Sequence, residues 1–146
     1  MVRKSLLDFI GGINESKKMF AAEDYNTWLR IFQLTDQFLY LPLKLGFYLT
    51  YSQSISKKDM SEAYEVSINE FTDILNVRQL KIIESNSSYM SGRYFYSKKG
   101  YGVAFAKLLK SIYGGKIPIV MCSILFLIII IFKQIRYLIF FRKRLF

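Results

Sequence analysis

The hydrophobic and polar positions divide the chain into three stretches. In the first, up to about residue 41, apolar residues recur at every third or fourth position from Trp28 to Leu39, a spacing typical of an amphipathic helix. Asp24 is suited to cap this helix, and Pro42 interrupts the pattern. We therefore predict a helical N-terminal extension over residues 1–41, followed by a short apolar helix in LPLKLGFYLTYSQ.

Two helix starts are predicted in the middle stretch, at SKKD (Ser56–Asp59) and SINE (Ser67–Glu70). Each motif places a hydroxyl three residues before a carboxylate, so that the two side chains can satisfy exposed backbone N–H groups at a helix start. One helix over residues 57–64 and a second over about 68–80, joined by a tight turn, would form a helix-turn-helix.

A hairpin is predicted next, because the β-branched and aromatic runs LKIIE and RYFYS enclose the polar, turn-rich SNSSYMSG. The aromatic run gives way to Lys98-Lys99-Gly100, and the following residues recur at helical spacing. We predict a helix from a cap at Ser97 to about Tyr113, with Gly114-Gly115 ending it. Its packed stripe would be Val103, Ala106, Leu109 and Ile112, or their neighbours.

The third stretch holds a predicted membrane span. Residues 117–132, IPIVMCSILFLIIIIF, contain no charge, and as a helix they measure about 24 Å against a hydrocarbon core of about 30 Å. Lys116 and Lys133 bracket the segment, and their long side chains can reach the interface. An apolar surface on all sides favours a membrane helix, residues 116–134, over a buried core helix. Residues 135–146 would form a basic amphipathic tail.

The charge pattern points to a polyanionic partner for the C-terminal part of the chain. The net charge is +10, and the residues after Glu84 include eleven basic side chains and no acidic one. Such a region suits nucleic acid or anionic lipid headgroups. The basic residues predicted to lie at the lipid interface are Lys116, Lys133, Arg136, Arg142, Lys143 and Arg144.

Histidine is absent and Cys122 is the one cysteine, which excludes disulfide frameworks, Cys/His zinc sites and histidine-based catalysis. No carboxylate pair or phosphate-binding glycine loop suggests a site, so we predict no enzymatic activity, cofactor or small-molecule substrate. The N-terminus lacks the continuous apolar run of a secretory signal. With five basic residues on each side of the span, flanking charge does not decide the topology, and a cytoplasmic N-terminal domain is predicted.

The order of these elements resembles that of the winged helix-turn-helix transcription regulators of bacteria and archaea. ISKKDMSEAYEVSINEFTDIL is similar to that family's second helix, turn and recognition helix, and GRYFYSKKGYGVAFAKLL to its second wing strand and following helix. The resemblance covers residues 42–113 and implies an α+β fold. It also implies DNA contacts: to base edges from Asn69, Thr72 and Asn76, and to phosphates from Arg93, Lys98 and Lys99.

Two functions follow from these patterns. The first is a non-enzymatic, membrane-tethered, single-pass regulator that binds DNA and membrane lipids, with a homodimer or a membrane protein as a further partner. The second is a small structural or interaction subunit of a membrane assembly that binds no nucleic acid. We predict the first function and keep the second as the alternative. One pattern counts toward the alternative: Ser54 to Glu84, the predicted helix-turn-helix region, hold four basic and six acidic residues, and DNA affinity depends chiefly on phosphate contacts.

Overall fold

All regular structure in the described residues is helical. The computed structural model describes residues 2–47, 49 and 58–142, with the backbone alone for 141 and 142. The α-helices are α1 (Lys4–Phe9), α2 (Glu23–Phe32), α3 (Ser61–Ile68), α4 (Val77–Ser97), α5 (Tyr101–Ile112) and α6 (Ile117–Arg142), with short 3-10 helices at Lys17–Met19 and Asn69–Ile74. The chain divides into two compact units, Met1–Glu70 and Phe71–Phe146.

The predicted α+β fold is wrong, because α4 runs through both predicted wing strands and the tip between them. A capping box that the sequence analysis missed starts this helix. The Asn76 side chain accepts a hydrogen bond from the Gln79 backbone N–H at 2.9 Å, and the Gln79 side chain accepts one from the Asn76 N–H at 2.9 Å. Once a helix is nucleated, each further residue adds a backbone hydrogen bond, so cooperativity outweighs the β-propensity of LKIIE and RYFYS.

The polar segment SNSSYMSG lies within α4 and is not a turn. Ser85, Ser88 and Gly92 follow one another at helical spacing, and all three are buried. Their small side chains allow α5 to pack closely. A Cβ atom on Gly92 would lie 2.7 Å from Leu108 Cγ. The composition that suggested a loop therefore serves helix packing.

The predicted helix-turn-helix is also wrong in detail. Ser67 does not cap a helix, since it is buried at the end of α3 and its hydroxyl donates to the Tyr64 carbonyl at 2.7 Å. The residues of the predicted second helix are divided between the 3-10 helix Asn69–Ile74 and the start of α4. The other predicted cap, Ser56, lies outside the described residues.

In Met1–Glu70, α2 is shorter than predicted and ends at Phe32. Shortly after it the Thr35 hydroxyl accepts from the Gln37 N–H at 3.1 Å, a local bond that competes with helix continuation. The described residues 41–47 are not helical either. Arg30 links α2 to the end of α1, since its guanidinium donates to the Gly12 carbonyl at 3.0 Å and to the Ile10 carbonyl.

Phe71–Phe146 contains the antiparallel α4–α5 hairpin, with α6 packed antiparallel to α5. The turn of the hairpin is where the sequence predicts it, with Lys99 at φ +62°. Gly114, at φ +81°, follows α5. The buried residues of α5 are Ala104, Leu108 and Ser111, each one position from a residue of the predicted stripe. With Leu127 and Ile130 of α6, the first two form the buried apolar cluster.

Within the described ranges, one helix is long and apolar enough to cross a membrane, Ile117–Phe140, which has 24 residues. One such helix was predicted, over residues 116–134, and the structure has one at this place. The helix continues without a break to Arg142, through the first eight residues of the predicted tail.

We predict that Gly92→Ala destabilises the protein, because the added Cβ would overlap the fully buried Leu108 side chain. Overpacking of this kind costs about 1–3 kcal/mol, to be measured as the free energy of unfolding in urea. Gly102→Ala is the matched control, since its Cβ would meet nothing within 4 Å and alanine favours a helix. Equal stability of the two variants would contradict the close approach of α4 and α5.

Candidate functional site

One side of α6 is covered by the hairpin and the opposite side is bare. Ser123, Leu127 and Ile130 are 0%, 8% and 3% exposed. The rest of the helix surface is exposed, including Leu125 and Phe132 at 57% and 63%, and within it lies a set of apolar residues that we call the outer stripe, each between 44% and 76% exposed: Ile117, Met121, Ile124, Ile128, Ile131, Ile135 and Leu138. Only 17% of the most apolar window of this helix is buried, so α6 is not a typical core helix.

The outer stripe has a regular spacing. Its members alternate in steps of four and three residues along α6, so they line one face over about 32 Å at 1.5 Å per residue. No charged residue belongs to it, because Lys133 and Arg136 fall at other positions around the helix. The stripe is therefore a continuous apolar surface that nothing in the described chain covers.

Serine hydroxyls join the three helices on the covered side. We call Ser85, Ser111 and Ser123 the serine seam. The Ser85 hydroxyl donates to the Ser111 carbonyl, and the Ser111 and Ser123 oxygens are 2.7 Å apart. Ser111 Oγ also lies 2.7 Å from the Leu108 carbonyl and Ser123 Oγ 2.8 Å from the Ile119 carbonyl. Because each hydroxyl has one proton, the two hydroxyls donate to two of these three acceptors at a time. Small hydrogen-bonding residues of this kind are enriched where membrane helices pack.

Lys133 is held at the turn of the hairpin. Its ammonium donates to the Tyr96 hydroxyl at 2.7 Å and lies 4.6 Å and 5.5 Å from the ring centroids of Tyr96 and Tyr101. We call these two side chains the tyrosine clasp. Cation–π contact and the hydrogen bond both favour the charged amine, so the clasp gives a basic residue of the apolar helix a defined partner.

Tyr89 provides another contact between α4 and α6. Burial raises the pKa of the Tyr89 phenol, a hydrogen bond with the Cys122 thiol raises it further, and the Arg93 guanidinium opposes the shift. Arg93 lies 5.6 Å from the centre of the same ring. Arg93 therefore has an aromatic partner in the Tyr89 ring.

The residues predicted to contact bases lie around the second 3-10 helix. Asn69 and Thr72 belong to that helix and are exposed, and Asn76 caps α4 through its side chain. The amide of Asn76, predicted to contact a base, thus has a structural role at the helix start.

The residues predicted to contact phosphates lie toward the other end of α4. Arg93 is in its last turns, Lys98 follows its last residue and Lys99 is in the turn. Lys98 lies 5.7 Å from the Tyr94 ring centre. Asn76 and Lys98 are separated by the length of the helix, about 33 Å. The structure thus does not bring Asn76 together with the predicted phosphate contacts.

The predicted lipid-interface residues are spread along α6. Lys116 precedes the helix, and its carbonyl accepts from Ile119 and Val120 at 2.9 Å and 3.1 Å. Arg136 is exposed and Arg142 is the last helical residue. Lys143 and Arg144 lie outside the described residues.

The sequence analysis missed the serine seam and the tyrosine clasp. A signal for the packed face of α4, which holds Ser85 of the seam, was present, since Ser85, Ser88 and Gly92 recur at steps of three and four, the spacing of one helix face. The clasp had no local signal, because Tyr96 and Lys133 are 37 positions apart.

In the part of the chain that the structure describes, no three metal-ligating side chains cluster. Comparison with protein families, with curated proteins and with solved structures finds nothing that matches this chain. The function is therefore inferred from the geometry of α6 and the hairpin.

We predict that Tyr96→Phe increases the rate at which Lys133 reacts with an amine-selective reagent, because the hydroxyl that holds the ammonium is lost. Tyr96→Leu should increase it further, since the ring is removed as well. Rates are measured by mass spectrometry of the full chain in detergent, with the exposed Lys107 as an internal control whose rate should not change. Equal Lys133 rates in all three proteins would contradict the clasp.

Proposed function

We propose that this chain is a small, non-enzymatic structural subunit of a membrane assembly, anchored by α6 as a single bilayer-spanning helix. The observation that carries this proposal is the bare outer stripe. Its exposed side chains amount to on the order of 700 Å², more than the roughly 300–600 Å² of the largest apolar patch on a typical soluble monomer. Moving that surface out of water is worth on the order of 15 kcal/mol, so a bilayer or partner helices should cover it.

The charges around α6 support insertion. Residues 117–132 carry none, and Lys116 and Lys133 bracket them. If the membrane-embedded part of α6 continued beyond Lys133, Arg136 would also lie in the hydrocarbon. A charged side chain there is costly, most of all near the centre of the bilayer. The proposed span therefore begins near Ile117 and reaches the second interface near Lys133.

The hairpin is compatible with a place beside this span. It packs through small residues and the serine seam, as membrane helices do. Two lysines of α5 lie at this depth. Lys110 pairs with Glu84 at 2.8 Å. Lys107 is exposed opposite the middle of the proposed span, so a polar partner in the assembly should cover its ammonium.

The proposed function is the second of the two described from the sequence, the membrane subunit that binds no nucleic acid. DNA binding was predicted from a winged helix, and the residues of its wing form α4. Two of the wing's basic residues, Arg93 and Lys98, lie against aromatic rings. The side of the membrane occupied by the N-terminal residues stays a prediction from the sequence.

Cys122 offers a direct test of insertion, because it is the one cysteine of the chain and is exposed on α6. We predict that the full chain in lipid vesicles resists carbonate extraction, and that Cys122 reacts with a membrane-impermeant maleimide only after detergent is added. The control is Cys122→Ser/Glu15→Cys, whose thiol should react in intact vesicles wherever residue 15 faces outward. Labelling of Cys122 at the control's rate would exclude the span.

The same protein should show no salt-dependent mobility shift with double-stranded DNA. DNA binding by phosphate contacts loses affinity steeply as salt rises, so the assay compares low and physiological salt. A shift that disappears with salt, and that Lys98→Ala/Lys99→Ala weakens, would restore the DNA-binding function and contradict the proposed one.

A further inference from the structure

We propose that the exposed side of α5 is a docking surface for a membrane-spanning helix of another protein, one that places a carboxylate against Lys107 deep in the bilayer. This inference rests on the proposed function, because the hairpin must lie beside the span of α6 in the bilayer. It adds the chemistry of the partner, which is an apolar helix with one acidic side chain near the middle of its length.

The depth of Lys107 follows from the serine seam. Ser111 is level with Ser123, because their hydroxyl oxygens are 2.7 Å apart. Lys107 lies about 6 Å before Ser111 on a helix antiparallel to α6, so it is level with about Leu127. The middle of the charge-free run 117–132 is then about 4 Å away along the helix axis.

A lysine at this depth cannot bring its charge to water by extending its side chain. In a hydrocarbon core about 30 Å thick, the nearer boundary lies about 11 Å from the level of Lys107, and an extended lysine side chain spans only about 6 Å. The ammonium therefore stays in the hydrocarbon, where an unpaired charge is costly and charged side chains pair with one another or with other polar groups.

The hairpin supplies partners for other basic residues of its helices, but not for Lys107. Arg93 of α4 lies 5.6 Å from the Tyr89 ring centre, and Lys110 of α5 pairs with Glu84 at 2.8 Å. Among the described residues, none makes an ion pair, a hydrogen bond or a ring contact with the Lys107 ammonium. The Lys107 side chain is exposed, so a partner from outside the chain can reach it.

The missing charge is negative, and Phe71–Phe146 does not hold it. Its acidic residues are Asp73, which precedes α4 at the end of the hairpin away from the turn, and Glu84, which is bonded to Lys110. The remaining acidic residues are in Met1–Glu70, whose longest described helix has ten residues, too few to carry a carboxylate to the middle of a bilayer. A second copy of the chain has the same limitation. The carboxylate is therefore assigned to a different protein.

The exposed side of α5 allows another helix to approach closely. Gly102 and Ala106 are exposed and lie four residues apart, as neighbours on this side of the helix. A Cβ atom on Gly102 would meet nothing within 4 Å. Two small residues at this spacing are common where membrane helices pack. Lys107 follows Ala106 directly, so a carboxylate on the docked helix can reach its ammonium.

The docking surface and the span have separate readouts. Labelling of Cys122 in intact vesicles would remove the span and the docking surface together. Protection of Cys122, combined with failure of either experiment below, would leave α6 as a membrane anchor and remove only the docking surface.

The first experiment measures whether the Lys107 ammonium is kept from water. The full chain in phosphatidylcholine vesicles is treated with a water-soluble amine reagent present on both sides of the membrane, and mass spectrometry follows the labelling of each lysine. Lys107 should react at least about tenfold more slowly than Lys99, which is exposed in the turn of the hairpin. Equal rates would mean that the ammonium reaches the headgroups without a partner, and would overturn the proposal.

The second experiment supplies the carboxylate on a probe. A biotinylated polyleucine transmembrane peptide with one central glutamate is incorporated into the same vesicles. The vesicles are dissolved in mild detergent, and the full chain captured with the peptide is quantified. At least about fivefold more chain should be captured than with an all-leucine peptide, because a charge pair at this depth joins the two helices.

Three variants test whether Lys107 makes the contact. Lys107→Met keeps a long side chain without the charge and should reduce capture to the level of the all-leucine peptide. Lys99→Met is the matched control and should leave capture unchanged. Lys107→Glu should be captured by a peptide with a central lysine instead. Equal capture of the wild-type chain by the glutamate and all-leucine peptides, or capture that survives Lys107→Met, would contradict the docking surface.

Discussion

The close approach of α4 and α5 at Gly92 is the constraint on which the rest of Phe71–Phe146 depends. Leu108 fills the space where any larger residue at 92 would place its side chain. With the two backbones this close, Ser85 reaches the Ser111 carbonyl, and the Ser111 hydroxyl is in place for Ser123 of α6. The position of α6 on the hairpin therefore follows from a glycine on a different helix.

In Phe71–Phe146, hydrogen bonds of buried serine hydroxyls contribute to packing alongside a small set of buried apolar side chains. Few large apolar side chains are fully buried in it, and the hydroxyls donate largely to carbonyls. In water such bonds contribute little net stability, because water competes for both partners. In a bilayer that competition is absent, although measured interhelical bonds there still average only about 0.6 kcal/mol. Backbone proximity and dispersion contacts must therefore supply much of the packing energy.

The elements that were predicted correctly from the sequence are those whose signal lies in consecutive residues. Three of them can be read from short runs of consecutive residues: the charge-free run 117–132 in the first part of α6, the Lys98-Lys99-Gly100 turn and the glycines after α5. The α4 helix could not, because serine and glycine are typical both of turns and of tight helix packing. Deciding between these roles requires knowing that Leu108 lies opposite Gly92, a contact between separate helices.

In the candidate site, too, some features were predicted from the sequence and others were not. The basic residues around α6 were identified from the sequence, but their partners were not, because the Tyr96–Lys133 contact joins distant positions. The outer stripe was not singled out from the sequence, because its neighbours on α6 are apolar as well. In the structure its members are exposed, as are Leu125 and Phe132 beside them.

The tyrosine clasp also fixes how α6 can turn. A shift of one residue along a helix rotates its side chains by about 100°, which would carry the Lys133 ammonium off Tyr96 and Tyr101. The Ser111–Ser123 bond, ten residues earlier on α6, resists the same motion. Two polar contacts separated by about 15 Å thus set the rotational phase of an otherwise smooth apolar helix, and with it the direction in which its bare face points.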